Sequence, residues 1–251
     1  MGSYAIVTGA GKGIGKELSI LLKQKGYDLL LIARSSTDLK QLADELGSGT
    51  LYLAIDLSEP GAAKKVAEFC KSLPVSVLVN NAGYGLWGNF EEGDIEQQLN
   101  MLQLNINAVV ELTHYLLPQL KQQPSSYILN VASTAAYQAV PTLAVYVATK
   151  AFVLSFSRAL RVELKDVVSV SCLCPGPTDT GFAHRAGMDS LADLAEKFNM
   201  QPGEVAKIGL QGMFKKKAEI IPGFLNKLSV IGARHINKTL IERITTGLYK
   251  K

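Results

Sequence analysis

Short, almost continuous apolar runs recur along the chain, and a longer stretch with polar residues at helical spacing separates each from the next. The runs are rich in Val, Ile and Leu, and they lie at 5–7, 29–33, 51–55, 75–79, 127–132 and 167–173. Unbroken apolar runs of this kind are typical of strands that are buried on both faces of a parallel sheet.

The stretches between the runs predict helices. They cover residues 14–25, 36–46, 59–72, about 94–120 and about 142–165, and a last short strand is expected at 219–221. Regular alternation of strand and helix favours right-handed βαβ crossovers, and therefore an α/β fold with a doubly wound parallel sheet. No linker or low-complexity segment divides the chain, so a single domain is predicted over residues 1–251.

Composition and the cysteines restrict the class of protein and its expected location. Hydrophobic residues make up 47% of the chain, enough for a large core. No apolar run reaches the ~18 residues of a membrane-spanning helix. The first residues lack the basic and apolar regions of a secretory signal, so a cytoplasmic location is expected. Cys70, Cys172 and Cys174 fit neither a disulfide framework nor a metal site, which predicts buried thiols and no metal.

Positive charge is concentrated near the C-terminus. The net charge is +4, and residues 201–251 carry ten Lys or Arg against three Asp or Glu. The tail, 222–251, combines apolar and basic residues at helical spacing. Packing on the protein's own core or on a second subunit is the expectation, and an anionic membrane surface is the alternative. No nucleic-acid partner is expected.

A glycine-rich stretch, TGAGKGIG at residues 8–15, closes the first strand and opens the first helix. Glycines let the backbone approach a pyrophosphate, and the start of a helix offers unpaired N–H groups and the positive end of its dipole. The spacing departs from G-x-G-x-x-G, yet this position between strand and helix favours a phosphate-binding loop.

Two basic residues flank the predicted phosphate site. Lys12 lies inside the glycine loop, and Arg34, followed by Ser35, ends the second strand. An acidic residue usually binds the ribose 2′-hydroxyl of NAD at the latter position. A guanidinium group instead suits a 2′-phosphate, which predicts NADP(H). The alternative for Arg34 is a solvated side chain without a ligand.

Polar residues also follow the third and fourth strands. Asp56 is placed where it could accept a hydrogen bond from an adenine amino group. Asn80, Ala82 and Gly83 form a tight polar turn after the fourth strand. Capping of the loops is the alternative for each of these positions.

The reactive set follows the fifth strand. Ser133 ends that strand, and Tyr146 and Lys150 come next with the spacing Y-x-x-x-K. Residues four apart on a helix share one face. A free phenol is too weak an acid at neutral pH, and a neighbouring ammonium stabilises its phenolate form. Such a tyrosine can give a proton to a carbonyl oxygen or take one from an alcohol.

Together these motifs resemble the short-chain dehydrogenase/reductase family, in its branch with chains of this length. The match runs from residue 3 to about 182. It comprises Thr8, Gly9, Gly13 and Gly15 of the glycine motif, Asn80 to Gly83 of the N-N-A-G motif, the helix residue Asn105, the set Ser133, Tyr146 and Lys150, the pair Pro175 and Gly176, and Thr180.

The resemblance implies a seven-stranded Rossmann sheet in the order 3-2-1-4-5-6-7. It implies that Tyr146 is the general acid or base and that Lys150 supports it and holds the nicotinamide ribose. Ser133 would donate a hydrogen bond to the substrate carbonyl, and Asn105 would anchor a water in the proton path to Lys150.

The resemblance also distributes the cofactor contacts. Asp56 would touch the adenine, Asn80 the adenosine ribose and Thr180 the nicotinamide end. The other positions assigned to NADP(H) on this basis are Ile14, Ser35, Leu57, Ala82, Gly83, Pro175, Gly176 and Thr178.

The match fades after Thr180, and the segment from about 181 to 217 is expected to cover the substrate. Aromatic and neighbouring residues near the strand ends are candidates for the pocket, with ordinary packing or surface exposure as the alternative. They are Tyr84, Leu86, Trp87, Tyr137, Phe182, His184 and Met188.

The function predicted on this basis is reversible, NADPH-dependent reduction of a ketone or aldehyde to an alcohol. A 3-ketoacyl-thioester reductase acting on an acyl carrier protein or CoA substrate is the alternative, and a non-catalytic NADP(H)-binding protein is a further one. A homodimer or homotetramer built on the helices at 94–120 and 142–165 is expected.

Overall fold

Seven parallel strands form one sheet in the order β3-β2-β1-β4-β5-β6-β7. A computed structural model describes residues 2–187, 199–240 and 242. The strands are β1 (Tyr4–Thr8), β2 (Asp28–Ala33), β3 (Thr50–Ala54), β4 (Val75–Asn80), β5 (Tyr127–Val131), β6 (Ser169–Leu173) and β7 (Glu219–Ile220). The predicted doubly wound sheet and its strand order are confirmed.

Helices cover both faces of the sheet. They are α1 (Gly13–Gln24), α2 (Ser36–Leu46), α3 (Ala62–Phe69), α4 (Ile95–Leu102), α5 (Ala108–Lys121), α6 (Ala144–Glu163), α7 (Phe182–Arg185), α8 (Pro202–Phe214) and α9 (Phe224–His235). Short 3-10 turns occupy Phe90–Glu92 and Thr134–Tyr137, and a π turn at Gln103–Asn107 joins α4 to α5.

Two apolar clusters fill the layers on either side of the sheet. The residues of β1 and β2 alternate between them, as their pleat requires. Val7 and Leu31 pack on one side with Leu18 of α1, whereas Ile6 packs on the other side with Leu112 of α5. Since both faces are covered, the apolar runs in the sequence are almost continuous.

The sixth strand begins two residues later than its apolar run predicts. The N–H groups of Val167 and Val168 both donate to the carbonyl of Leu164, in the turn that ends α6. Asp166, just before them, has a φ of +72°, which reverses the chain direction. The backbone of these two valines is therefore committed to the turn, and pairing with β5 starts at Ser169.

The order of the strands leaves a crevice beside β1. Its neighbours are β2 on one side and β4 on the other, so the chain leaves the sheet in opposite directions from adjacent strands. In doubly wound sheets this switch point is where ligands bind, at the carboxyl ends of the strands. No helix in the described part of the chain is long and apolar enough to cross a bilayer.

Candidate active site

The loop between β1 and α1 depends on three of its four glycines. Gly9 and Gly13 have φ values of +65° and +54°, which side chains disfavour. A Cβ atom on Gly15 would collide with the carbonyl oxygen of Gly9, because α1 passes directly over the turn. Gly11 has no such backbone requirement, and a Cβ there would lie 3.3 Å from the Cβ of Asp38.

The start of α1 fits an anionic group. The helix begins after Lys12 without a capping side chain, and its first turn contains no acidic residue. Its first N–H groups therefore lack a side-chain acceptor, and the positive end of the helix dipole is not offset locally. Together with the space that the glycines leave, this arrangement fits the pyrophosphate of a dinucleotide.

Asn81 holds the glycine loop against the end of β4. Its Nδ2 donates to the carbonyl oxygens of Thr8 at 2.9 Å and Gly9 at 3.3 Å. In return, Thr8 Oγ1 accepts from the N–H groups of Asn81 and Ala82 at 2.9 and 3.0 Å. Sequence reasoning gave Asn81 no separate role, although the N-N-A-G motif contains it.

The two predicted NADP-selecting residues lie at the edge of this loop and are paired with acids. Lys12 Nζ is 3.4 Å from Asp38 Oδ2, and Arg34 Nη1 is 3.8 Å from Asp56 Oδ2. The two basic side chains are 67% and 65% exposed, so solvent reaches both. Ser35 accepts from the N–H of Asp38 and caps α2.

The side chains of two predicted cofactor residues bond within the protein. Asp56 Oδ1 accepts from the N–H and hydroxyl of Ser58, at 2.9 and 2.7 Å. Asn80 is buried, and its Nδ2 donates to Asn130 Oδ1 at 2.8 Å and to Thr113 Oγ1 at 3.1 Å. This side-chain amide therefore joins β4 to β5 and α5, and the predicted contact of Asn80 with the adenosine ribose stays a prediction. The main chain of Asn80 lies at the carboxyl end of β4.

Other predicted cofactor positions serve packing as well. Leu57 is buried in the apolar core below Asp56. Ile14 packs against the cluster on the α1 side of the sheet.

Tyr146 and Lys150 lie one turn apart on α6, and both side chains are buried at the carboxyl end of β5. The Lys150 Nζ donates to the carbonyl of Val131 at 2.9 Å and lies 5.8 Å from the centre of the Tyr146 ring. Burial lowers the pKa of Lys150 to about 8, against an opposite effect of the thiols of Cys172 and Cys174. Within the described ranges, no carboxylate forms an ion pair with this ammonium group.

Ser133 lies where β5 ends. Its Oγ accepts from the N–H of Ala135 at 3.1 Å and so caps the turn Thr134–Tyr137. Its hydroxyl proton has only a long contact, 3.5 Å, with the carbonyl oxygen of Pro175. The hydroxyl is thus held in place through its acceptor side, and its proton remains available for another oxygen.

Asn105 lies in the π turn between α4 and α5. Its Oδ1 accepts from the N–H of Tyr84 at 3.1 Å, and its Nδ2 donates to the carbonyl of Tyr84 at 2.9 Å and to Thr149 Oγ1 at 3.1 Å. The side-chain amide is therefore used to hold the loop after β4. The predicted role of Asn105 in anchoring a water stays a prediction.

Gly83 separates Asn105 from Lys150. A Cβ atom there would lie 2.9 Å from Asn105 Oδ1 and 3.4 Å from Lys150 Nζ. Only glycine keeps the path between these two side chains open.

The loop after β6 reaches across to the glycine loop. A Cβ atom on Gly13 would lie 2.8 Å from the Cβ of Thr180, so that threonine lies directly over the glycine. Thr178 Oγ1 donates to the carbonyl of Gly176 at 2.9 Å and keeps the segment after Pro175 turned. The predicted phosphate and nicotinamide ends of the site are therefore in contact.

Three of the predicted pocket residues surround the tyrosine. Phe182 packs on Tyr146 with ring centres 5.4 Å apart, and Tyr84 and Trp87 belong to the same apolar cluster. Leu86 and Val140 also belong to it. His184 is exposed on α7, and Met188 lies outside the described residues. The wall beside Tyr146 is thus largely apolar.

Tyr137, a further predicted pocket residue, packs in a different apolar cluster from Tyr146, and its place in the substrate pocket stays a prediction. Its hydroxyl donates to Glu219 Oε2 at 2.7 Å and contacts Cys174 Sγ at 3.4 Å, in a cluster separate from that of Tyr146. Glu219 also binds Arg158 of α6 and Arg234 of α9. The two arginines and the tyrosine converge on this carboxylate, so the ring is held at the edge of the sheet.

The three cysteines are buried and not disulfide-bonded. Cys172 and Cys174 lie on one face of β6 with sulfur atoms 3.8 Å apart.

Comparison with known proteins agrees with this geometry. The sequence profile described as "short chain dehydrogenase" matches residues 3–191. The chain is 30% identical over 236 residues to "17-beta-hydroxysteroid dehydrogenase type 3" of Mus musculus, covering 91% of this chain and 77% of that protein. It is 34% identical over 175 residues to "Very-long-chain 3-oxoacyl-CoA reductase-A" of Danio rerio, covering 66% and 54% of the two chains.

A solved structure is similar over almost the whole chain. It is a short-chain dehydrogenase from Sphingobium yanoikuyae in complex with NADPH, with a TM-score of 0.82, 28% identity, and coverage of 92% of this chain and 93% of that one. The chain described here belongs to the short-chain dehydrogenase family, a family of oxidoreductases.

Proposed function

We propose that the protein is an NADP(H)-dependent oxidoreductase that reduces a ketone or aldehyde to an alcohol and also catalyses the reverse reaction. The observation that carries the proposal is the buried pair of Tyr146 and Lys150 beside the glycine loop. A buried ammonium group without an acidic partner favours a negative charge nearby. The phenolate of Tyr146 is such a charge.

The residues divide the reaction between them. The bound nicotinamide supplies or accepts the hydride. The Tyr146 hydroxyl donates its proton to the carbonyl oxygen, and Lys150 stabilises the phenolate that remains. The Ser133 hydroxyl donates a hydrogen bond to the same oxygen, where negative charge develops. The apolar wall formed with Phe182 and Trp87 excludes water from this oxygen.

The preference for NADP(H) over NAD(H) is supported by Lys12 and Arg34. Each basic group is balanced by one carboxylate at the edge of the glycine loop. A 2′-phosphate presents more negative charge and more acceptor oxygens than either carboxylate, so it competes for both cations. The ribose hydroxyl of NAD offers no such charge.

A double variant tests the cofactor preference. Lys12→Gln with Arg34→Gln is expected to weaken NADPH binding at least about tenfold, since each charge-assisted hydrogen bond is worth roughly 1.5–3 kcal/mol. NADH binding is expected to change less than about twofold. Titration of both cofactors by intrinsic fluorescence measures the two constants.

The matched control is Lys40→Gln with Lys64→Gln, which removes two exposed lysines outside the loop. Equal affinity of the unaltered protein for NADH and NADPH would contradict the assignment. So would an unchanged NADPH affinity in the double variant.

Turnover tests the chemistry. In a panel of ketones and aldehydes followed by NADPH absorbance, Tyr146→Phe is expected to lower kcat about 10²–10⁴-fold, the range of general acid catalysis. NADPH binding is expected to persist, because the ring and its packing remain. Full turnover of Tyr146→Phe would overturn the mechanism, and no turnover of any substrate by the unaltered protein would favour a non-catalytic binding protein.

A second candidate is reduction of a 3-oxoacyl thioester. It is supported by the name of the Danio rerio relative and by the apolar wall beside Tyr146, which suits an acyl chain or a steroid. If thioesters are the substrates, kcat/KM is expected to rise with acyl chain length in a series of 3-oxoacyl-CoA compounds. A steroid ketone in the same assay distinguishes steroid substrates from acyl thioesters. A kcat/KM that does not change with acyl chain length would count against the thioester.

A further inference from the structure

Helix α9 presents apolar side chains to solvent. Phe224, Leu225, Leu228 and Ile231 are large, and the first of them is 73% exposed. Residues at positions i, i+4 and i+7 form one stripe along a helix, and Phe224, Leu228 and Ile231 have this spacing. We call these four residues the α9 stripe.

The opposite face of α9 is already in use. Val230 is 2% exposed, and Asn226 lies against Gly176 and donates to the carbonyl of Pro222 at 2.8 Å. Arg234 binds Glu219 and stacks on Tyr137 with its guanidinium carbon 5.0 Å from the ring centre. The helix is thus fixed to the body by its inner face. Rotating it to bury the stripe would break these contacts.

The charged residues of the segment that contains α9, residues 220–241, are all basic. No Asp or Glu occurs between Glu219 and Glu242, whereas Lys227 and Lys238 are both present and exposed in this segment. Lys227 lies beside the stripe on the helix, and Lys238 follows the end of α9. Three further exposed lysines, Lys215 to Lys217, follow α8.

This charge argues against a second copy of the chain as the occupant. Two copies that met through the α9 stripe would bring the lysines of one copy towards those of the other. No acidic residue between positions 219 and 242 would offset the repulsion. An apolar stripe with basic edges is instead typical of a helix that lies in the headgroup region of an anionic bilayer.

We propose that the α9 stripe docks on an anionic membrane surface. The apolar side chains enter the boundary between headgroups and acyl chains, and Lys227 and Lys238 contact the lipid phosphates. The Asn226 contact places α9 beside the loop of Gly176. The helix therefore packs by its inner face on the loop at the predicted nicotinamide end of the site, and its docked face points away from that loop.

Sedimentation with vesicles tests the proposal on the full chain. Vesicles of phosphatidylcholine with phosphatidylglycerol are expected to bind the protein at least tenfold more tightly than phosphatidylcholine alone. Leu228→Ser with Ile231→Ser is expected to abolish binding. Lys227→Gln with Lys238→Gln is expected to weaken it roughly 25-fold, since each lysine near an anionic surface contributes about fivefold.

Matched controls change the same kinds of residue elsewhere. Phe90→Ser removes an exposed aromatic side chain far from α9 in sequence, and Lys40→Gln with Lys64→Gln removes two exposed cations. Both controls are expected to bind vesicles as the unaltered protein does.

Two results would overturn the proposal. One is binding that is absent, or equal on both kinds of vesicle. The other is an oligomer, seen by analytical ultracentrifugation without lipid, that Leu228→Ser with Ile231→Ser dissociates; this would make a second copy the occupant of the stripe. Melting curves of all variants show whether each is folded.

Discussion

At the scale of single residues, two carboxylates moderate the basic groups that are proposed to select NADP(H). Lys12 and Arg34 are opposed by Asp38 and Asp56. On the proposed function, a 2′-phosphate would displace an existing partner from each cation. We therefore expect the affinity for NADPH to depend on these acids as well as on the basic residues.

Removing one of these acids is expected to tighten NADPH binding. Asp38→Asn keeps the backbone N–H that donates to Ser35. It frees Lys12 from an ion pair that is worth about 0.2–1 kcal/mol in exposed positions. We expect the Kd for NADPH to fall about two- to fivefold, with no change for NADH. Calorimetric titration measures both.

Asp44→Asn is the matched control, because it removes an exposed acid from the same helix and its affinities should not change. A weaker NADPH complex in Asp38→Asn would show that Asp38 helps the cofactor to bind. That result would contradict the expectation.

Sequence patterns indicate the candidate reactive residues more clearly than the residues that surround them in the structure. Tyr146, Lys150 and Ser133 are recognisable because their chemistry requires particular residue types at particular spacings. Asp38 has no such signal, since an acid in the first turn of a helix is ordinary. The contacts of Tyr137 also have no such signal, because they depend on Glu219, which is distant in sequence.

At the scale of elements, the sequence indicates the positions of helices more clearly than the irregular turns within them. The helix at 36–46 was predicted with its observed bounds, because apolar residues and the Ser35 cap mark it clearly. The stretch at 94–120 was predicted as one helix, and the chain is indeed helical there. The π turn within it was not foreseen, since the apolar spacing continues through it.

Two alanine substitutions separate the required glycines from the dispensable one. In Gly15→Ala the new methyl group meets the carbonyl of Gly9, whereas in Gly11→Ala it meets only the side chain of Asp38. We expect Gly15→Ala to cost about 1–3 kcal/mol of unfolding free energy and to weaken NADPH binding at least tenfold. Gly11→Ala is expected to change stability by less than about 1 kcal/mol.

Urea unfolding and cofactor titration measure these effects. Equal behaviour of the two alanine variants would contradict the structural distinction between the glycines.

At the scale of the whole molecule, the buried ammonium group of Lys150 lowers the stability of the folded protein. Burial lowers the pKa of Lys150 to about 8, below its ordinary value of 10.5. The unfolded chain therefore binds this proton more tightly than the folded chain does. The resulting cost is fully present below pH about 8 and disappears as the pH rises towards about 10.5.

This cost is measured by comparing the unfolding free energies of the unaltered protein and of Lys150→Met as a function of pH. The unfolding free energy of the unaltered protein minus that of Lys150→Met is expected to rise by about 2 kcal/mol between pH about 7.5 and about 10. Titrating groups that do not interact with Lys150 cancel in the subtraction, whereas the thiols of Cys172 and Cys174, which feel its charge, contribute to the difference. Lys40→Met, at an exposed position, is the matched control. A difference for Lys150→Met that does not change with pH would show that its ammonium group is not desolvated.

The architecture as a whole was predictable because each buried strand leaves a run of apolar residues. The strand order came from the family resemblance, since apolar runs do not specify which strands are neighbours. Oligomerisation through the helices at 94–120 and 142–165 stays a prediction. Exposed Ile95, Leu99, Tyr115, Phe152 and Val162 lie on those helices.

The contact between Thr180 and Gly13 has a consequence for the order of binding. These two loops lie close together beside the proposed phosphate site, and we expect an entering cofactor to part them. Phe182 follows Thr180 by two residues and packs on Tyr146, so parting the loops also rearranges the wall of the carbonyl pocket. In kinetic terms this predicts a compulsory sequence in which the cofactor adds first and departs last. Product-inhibition patterns competitive only between the two cofactor forms would be its signature.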